Sequence, residues 1–149
     1  MLNPDFRDIL SAFNAERVEY LVVGAYALAA HGLPRATGDI DLFIRPDAAN
    51  AERVWAALAR FGAPLDAITH ADLATPGTIF QIGIAPSRID VITAIDGVTF
   101  DAAWPGRIDL QIEGIDLPVI GRSELLANKR ASGRPQDLAD VARLERQRE

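Results

Sequence analysis

The 149-residue chain contains no cysteine. Disulfides and thiolate metal centres are therefore excluded, and a disulfide-stapled scaffold with them. Histidine is nearly absent as well. His31 and His70 stand far apart with no H-x-x-x-H spacing, which argues against zinc. No apolar run reaches the ~18 residues that a membrane span needs; the longest, Tyr20 to Ala30, is broken by Gly24. The opening MLNPDFRDIL lacks the basic-then-apolar order of a signal peptide, which with the missing cysteine sets the expectation of a cytoplasmic protein without a membrane partner. There is no G-x-x-x-x-G-K-[ST] loop, so a P-loop enzyme is excluded at the level of motifs. Positive charge is also short. The net charge of −6 argues against non-specific DNA or RNA binding by phosphate neutralisation. A nucleotide remains compatible, because one metal-loaded pocket overrides the global field. Lysine is the scarcest cation: of fifteen basic residues only Lys129 is a lysine.

What is present is the balance of a globular domain, 49% apolar and 24% charged, with no internal repeat or low-complexity linker. The reading is one domain over residues 1–149, with C-terminal helices from about residue 122. Asn3 and Pro4 start a helix whose Phe6, Leu10 and Phe13 share a face. EYLVVG is a short strand closed by Gly24, AYALAAHG a small-residue helix, LPRATG a loop and DIDLFIR the next strand. DAANAERVWAALARFG is amphipathic, with Asp47 as cap. The strands TIFQIGI and RIDVITAI are joined near Pro86, and RIDLQIEGIDLPVI reads as a hairpin around Gly114. Ser123 is placed to cap ELLANKRASG, and Pro135 sits in the first turn of the last helix. This order predicts an α/β (α+β) fold, a mixed β-sheet with helices packed on it.

The chemistry concentrates in GDIDLF. In a strand, Ile40, Leu42 and Ile44 face one way and Asp39 and Asp41 the other, about 7 Å apart along the chain. Like charges this close repel unless a cation lies between them, and carboxylates suit Mg²⁺ or Mn²⁺. The competing reading pairs these acids with arginines such as Arg35 or Arg88, or has them cap turns. Upstream, the strand ending at Gly24 and the helix beginning at Ala25 put free backbone N–H groups beside the acids. Asp90, between Ile89 and Val91, becomes a third acid of the set if its strand is adjacent. There it would ligate a metal and accept a proton from a hydroxyl. Its bland alternative is an ion pair with Arg88 or Arg107. Trp55 and Trp104 read as core or interface aromatics.

With VVGAYALAAHGLPRATGDIDLFI and a later Asp90, the chain resembles the nucleotidyltransferase superfamily related to DNA polymerase β. It is most similar to small stand-alone bacterial and archaeal members, some linked to toxin–antitoxin and abortive-infection systems. These share the R-x-T-x-D-I-D approach, here Arg35, Thr37, Asp39, Ile40 and Asp41, and a closing segment like NKRASGRPQDLADVARL. The resemblance implies that Asp39, Asp41 and Asp90 bind Mg²⁺ (or Mn²⁺) and carry catalysis. It also implies that Gly24 and Ala25 receive the phosphates of a nucleoside triphosphate such as ATP, and that Arg35, Thr37 and Lys129 contact the nucleotide. The reaction implied is transfer of a nucleoside monophosphate to a hydroxyl on an unknown acceptor: a protein, a tRNA end or a small molecule. One departure stands out. Ala25 replaces the serine usual after the glycine, so phosphate binding would rest on backbone N–H groups alone. That departure and the small size keep a second reading open, a non-catalytic binding module paired with a partner protein of a toxin–antitoxin system. Asp137 and Asp140 read as capping and ion-pairing residues for Arg134 or Arg143.

Overall fold

A computed structural model describes residues 2–35, 38–84 and 86–147. Helix α1 (Pro4–Ala15) forms because the Asn3 side chain accepts from the Asp5 N–H and proline occupies the first turn. Phe6, Ile9, Leu10 and Phe13 recur at helical spacing and are all buried. Strand β1 (Tyr20–Val23) is apolar throughout and buried on both faces. It runs straight into α2 (Gly24–Ala30). Strand β2 (Ile40–Ile44) follows, so Asp39 precedes the strand rather than lying inside it as the alternation had suggested. Helix α3 (Ala48–Phe61) is capped by Asp47, whose side chain accepts from the Asn50 N–H. It ends at Gly62 in the left-handed region, φ 92°.

Asn50 is a buried polar residue that the sequence did not mark. Its carboxamide accepts from the Glu19 N–H at 2.8 Å and donates to the Glu19 and Arg45 carbonyls, both at 3.0 Å. One side chain thus ties α3 to the start of β1 and the end of β2, with its own polar atoms satisfied.

A 3₁₀ turn (Leu65–Ala67) and the single turn α4 (His70–Leu73) lead to the hairpin β3 (Ile79–Ile82) and β4 (Ile89–Ile92). Next come α5 (Phe100–Ala103), a 3₁₀ turn (Trp104–Gly106), and the hairpin β5 (Ile108–Ile112) and β6 (Ile115–Val119). The chain closes with α6 (Arg122–Ser132) and α7 (Pro135–Arg146). Ser123 is not the cap of α6. The helix starts at Arg122 after Gly121 with no side-chain cap. Gly121 sits so close to the Gly106 backbone that a Cβ would collide with it.

The six strands form one mixed sheet in the order β3-β4-β2-β1-β6-β5. β2 is antiparallel to β1 and parallel to β4, and β1 is parallel to β6. Ile40, Leu42 and Ile44 are buried, as their alternation predicts. Phe43, on the opposite side, is buried too, edge-to-face with Phe100 of α5 at 5.2 Å. Apolar cover on both faces accounts for the unbroken run Leu42-Phe43-Ile44. It leaves Asp41 as the only acidic side chain of the strand. Among the described residues no helix is long and apolar enough to cross a membrane.

Candidate active site

Register assembles the site. Asp41 of β2 lies directly opposite Asp90 of β4. On their outer flanks, Asp41 is opposite Val23 of β1 and Asp90 is opposite Gln81 of β3. Residues paired across strands share a face, so Gln81, Asp90, Asp41 and Val23 make one row across four strands. Residues 49 apart in sequence meet because a parallel β2–β4 pair needs a long crossover, which α3 supplies.

The two carboxyls touch. Burial pushes the Asp41 carboxyl up to about 6, and its contact with the Asp90 carboxylate and the nearby Asp39 push it the same way. Arg88 is the cation that answers this charge. Its Nε donates to Asp90 Oδ1 at 3.0 Å, and its Nη2 reaches Asp90 Oδ2 at 3.4 Å and Asp39 Oδ2 at 2.9 Å. The arginine partner weighed from sequence is thus Arg88 for both Asp39 and Asp90. One guanidinium thus bridges two carboxylates.

Backbone closeness at two glycines holds the acids in place. Gly24 has φ +69°, and a Cβ there would run into the Asp41 carboxylate. Any side chain at that position would therefore displace Asp41 as well as strain the turn. Gly38, just before Asp39, packs against the Pro86 backbone of the β3–β4 turn with no room for a Cβ. The entry to β2 is thereby seated on the hairpin that carries Asp90. Ala25 follows Gly24 in the first turn of α2.

Arg35 and Lys129 belong to a second cluster. The Lys129 ammonium, 8% exposed, lies 3.3 Å from Asp137 Oδ1 and 3.1 Å from Asp140 Oδ2. Arg35 makes a two-pronged contact with Asp140, Arg134 clasps Asp137 at 2.7 Å, and Gln136 donates to Asp140 at 3.0 Å. The alternative that Arg35 neutralises Asp39 is thereby replaced: its partner is Asp140. Asp137 does cap and pair with Arg134 as read from sequence. Hydrogen bonds from Arg134 and Lys129 hold its carboxyl below the usual range against the cost of burial. Burial pushes Asp140 up, but hydrogen bonds from Arg35, Lys129 and Gln136 outweigh it and hold that carboxyl low too. Thr37 lies outside the described residues.

Of the residues singled out from sequence, the fold therefore gathers Asp39, Asp41, Asp90, Gly24 and Ala25 at one place. It joins Arg35 to Lys129 through Asp140 at another. Gln81 was missed, since only the β3–β4 register brings it beside Asp90. His31 and His70 are accounted for structurally: His31 Nε2 is 2.8 Å from the Ile120 carbonyl, and His70 stacks on Trp55 at 4.2 Å.

The donors of the first cluster suit a hard divalent cation. Asp41 and Asp90 present oxygen ligands side by side with more negative charge than Arg88 offsets. With Arg88 occupying Asp39 and Asp90, however, no group of three or more acidic or histidine side chains is gathered as a metal site among the described residues. The fit is that of a carboxylate pair with a third acid alongside.

No family model matches the chain, and neither does any curated protein. A solved structure of a putative nucleotidyltransferase from Thermotoga maritima is similar to it, with a TM-score of 0.58 and 17% identity, over 99% of this chain and 93% of that one. At such low identity the likeness is one of fold. The chain has a nucleotidyltransferase-like fold, a six-stranded mixed sheet flanked by helices.

Proposed function

We propose that the chain is a nucleotidyltransferase that moves a nucleoside monophosphate from a nucleoside triphosphate to a hydroxyl acceptor and releases pyrophosphate. The observation that carries this reading is the Asp41–Asp90 pairing, two acids in register on neighbouring strands with Asp39 and Gly24 against them. Asp39, Asp41 and Asp90 would hold Mg²⁺ or Mn²⁺. Once bound, such an ion would neutralise phosphate charge and favour attack at the α-phosphate.

The chain's own groups supply the rest. Asp90 accepts the proton of the attacking hydroxyl. Backbone N–H groups at Gly24 and Ala25 meet the phosphates, without help from a hydroxyl at position 25. Arg35 keeps part of its guanidinium exposed beside Asp140 and, on the approach to Asp39, would meet a phosphate; Thr37 is two residues further along the same approach. Lys129, its charge committed to Asp137 and Asp140, contributes field rather than contact.

Incubation with labelled nucleoside triphosphates, Mg²⁺ and a cell extract tests the proposal. Label should pass to an acceptor and fall about a hundredfold or more in a protein carrying Asp39→Asn and Asp41→Asn. Equal labelling by both proteins removes the catalytic claim. Two observations favour a second reading, a non-catalytic module acting with a partner protein in a toxin–antitoxin pair. Arg88 already occupies two of the acids, and Ala25 offers no hydroxyl. Calorimetry with Mg²⁺–ATP separates the two readings, because a module of this kind gives no binding heat while co-purifying with its partner.

A further inference from the structure

Strand β5 is an outer strand of the sheet, and its Ile108 and Ile112 are 40% and 36% exposed. Its hairpin turns through Glu113 and Gly114, φ 52° and 81°, and closes on the pair Ile112–Ile115. A two-residue turn of this kind closes on a hydrogen-bonded pair. By alternation, the backbone groups of Ile108, Leu110 and Ile112 point to β6, and those of Asp109 and Gln111 point to the open edge. An apolar groove lined by Tyr26, Ala29, Ala30, Leu110, Ile112 and Val119 runs beside the same strand. Open edges of this type are templates for another strand.

The sequence of the edge names the strand that fits. R-I-D-L-Q-I-E, residues 107–113, is nearly symmetric about Leu110. We propose that two copies of the chain join antiparallel at β5 about a twofold axis at Leu110, continuing the sheet from one copy into the other. The axis sets Leu110 opposite itself, Ile108 opposite Ile112, Asp109 opposite Gln111 and Arg107 opposite Glu113. Keeping the apolar residues on one face allows only shifts of two residues. An axis at Asp109 would put Asp109 on itself, and an axis at Gln111 would put Asp109 on Glu113. Like charges directly opposite are unfavourable, so Leu110 is the centre that avoids them. Arg107, stacked on Trp104, and Glu113, paired with Arg7, sit at the rim of the contact. The opposite edge, β3, reads Ile-Phe-Gln-Ile with no charge, so nothing there selects one register. The dimer leaves the Asp41–Asp90 pair open, since β2 lies three strands in from the joined edge.

Sedimentation equilibrium of the full chain tests the register, since each centre predicts a different response at position 111. With Leu110 at the axis, Gln111→Lys faces Asp109 and tightens the dimer about threefold to tenfold, while Gln111→Asp weakens it by a similar factor. An axis at Asp109 reverses both signs, because Gln111 then faces Arg107. An axis at Gln111 weakens both variants. Urea unfolding of each variant separates these shifts from any change within the chain, where Gln111 also contacts Asp116. In this cysteine-free chain, Leu110→Cys should form an intermolecular disulfide under mild oxidation, as two residues in a non-hydrogen-bonded antiparallel pair lie within reach. A chain that stays monomeric at all accessible concentrations, or a dimer whose response at position 111 follows either other pattern, overturns the proposal.

Discussion

Two pairs of aspartates are sequestered in this molecule, and the fold treats them oppositely. Asp41 and Asp90 face each other across strands with Asp39 alongside, and the Arg88 guanidinium pairs with Asp39 and Asp90. Asp137 and Asp140 lie one turn apart on α7, and three cations, Lys129, Arg134 and Arg35, converge on them. The first arrangement drives a carboxyl up to about 6 and the second holds both carboxyls low. The helix cluster is complete in itself and staples α6 to α7 and to the loop after α2. In the strand cluster the carboxyls of Asp41 and Asp90 crowd each other instead, which is what a bound cation would relieve. Burial pushes carboxyls up in both clusters, and the neighbouring groups decide whether it wins.

The largest way to break this contrast is to remove one partner from the complete cluster. Asp140→Ala takes one of its two carboxylates from the buried Lys129 ammonium and removes the partner of Arg35, and should cost about 3 kcal/mol of stability, read from urea unfolding. Conversion of Asp41 to asparagine acts in the opposite direction. Because the folded carboxyl titrates near 6 and the unfolded one near 4, wild-type stability falls as pH rises between those values. Asp41→Asn should remove that slope and stabilise the protein above pH 6 by up to about 3 kcal/mol, with no gain at pH 4. Asp137 and Asp140 have the reverse sign. Their stabilisation is present above the unfolded carboxylate value and is lost as pH falls through their lowered values. Thermal melts at a series of pH values separate the two limbs.

A smaller effect sharpens the comparison from the ligand side. Mn²⁺ at tenfold excess over its Kd should stabilise the wild type by about 1.4 kcal/mol. Asp41→Asn should abolish this shift in a thermal melt, whereas Arg35→Lys, in the other cluster, should retain it. Least of all, Arg130→Gln removes an exposed pair with Glu145 on the same two C-terminal helices. It should change stability by less than about 0.5 kcal/mol, which would separate the buried network from mere charge on the surface.

Much of this architecture was legible along the chain. Asn3, Asp47 and Pro135 start helices where their chemistry places them, and Glu113–Gly114 turns the hairpin read from RIDLQIEGIDLPVI. These are local effects, written in residues a few positions apart. Ser123 shows the limit of such reading. It is an adequate cap in isolation, but α6 already begins at Arg122, after Gly121 packed on the Gly106 backbone. Lys129 shows the same limit at a site. It is the only lysine of the chain, but its partners on the next helix decide what its charge is used for.

By itself, then, the sequence determined the elements, the apolar face of β2 and the side to which Asp41 points, because alternation and capping are short-range geometry. Tertiary structure alone decided the register of β2 on β4. With it came the meeting of Asp41 with Asp90, the place of Gln81, the sharing of Arg88 and the division of the acids into a cluster crowded by carboxyls and one enclosed by cations. Coulomb interactions depend on distances in space, and those distances join residues 49 and 105 apart in the chain, Asp41 with Asp90 and Arg35 with Asp140.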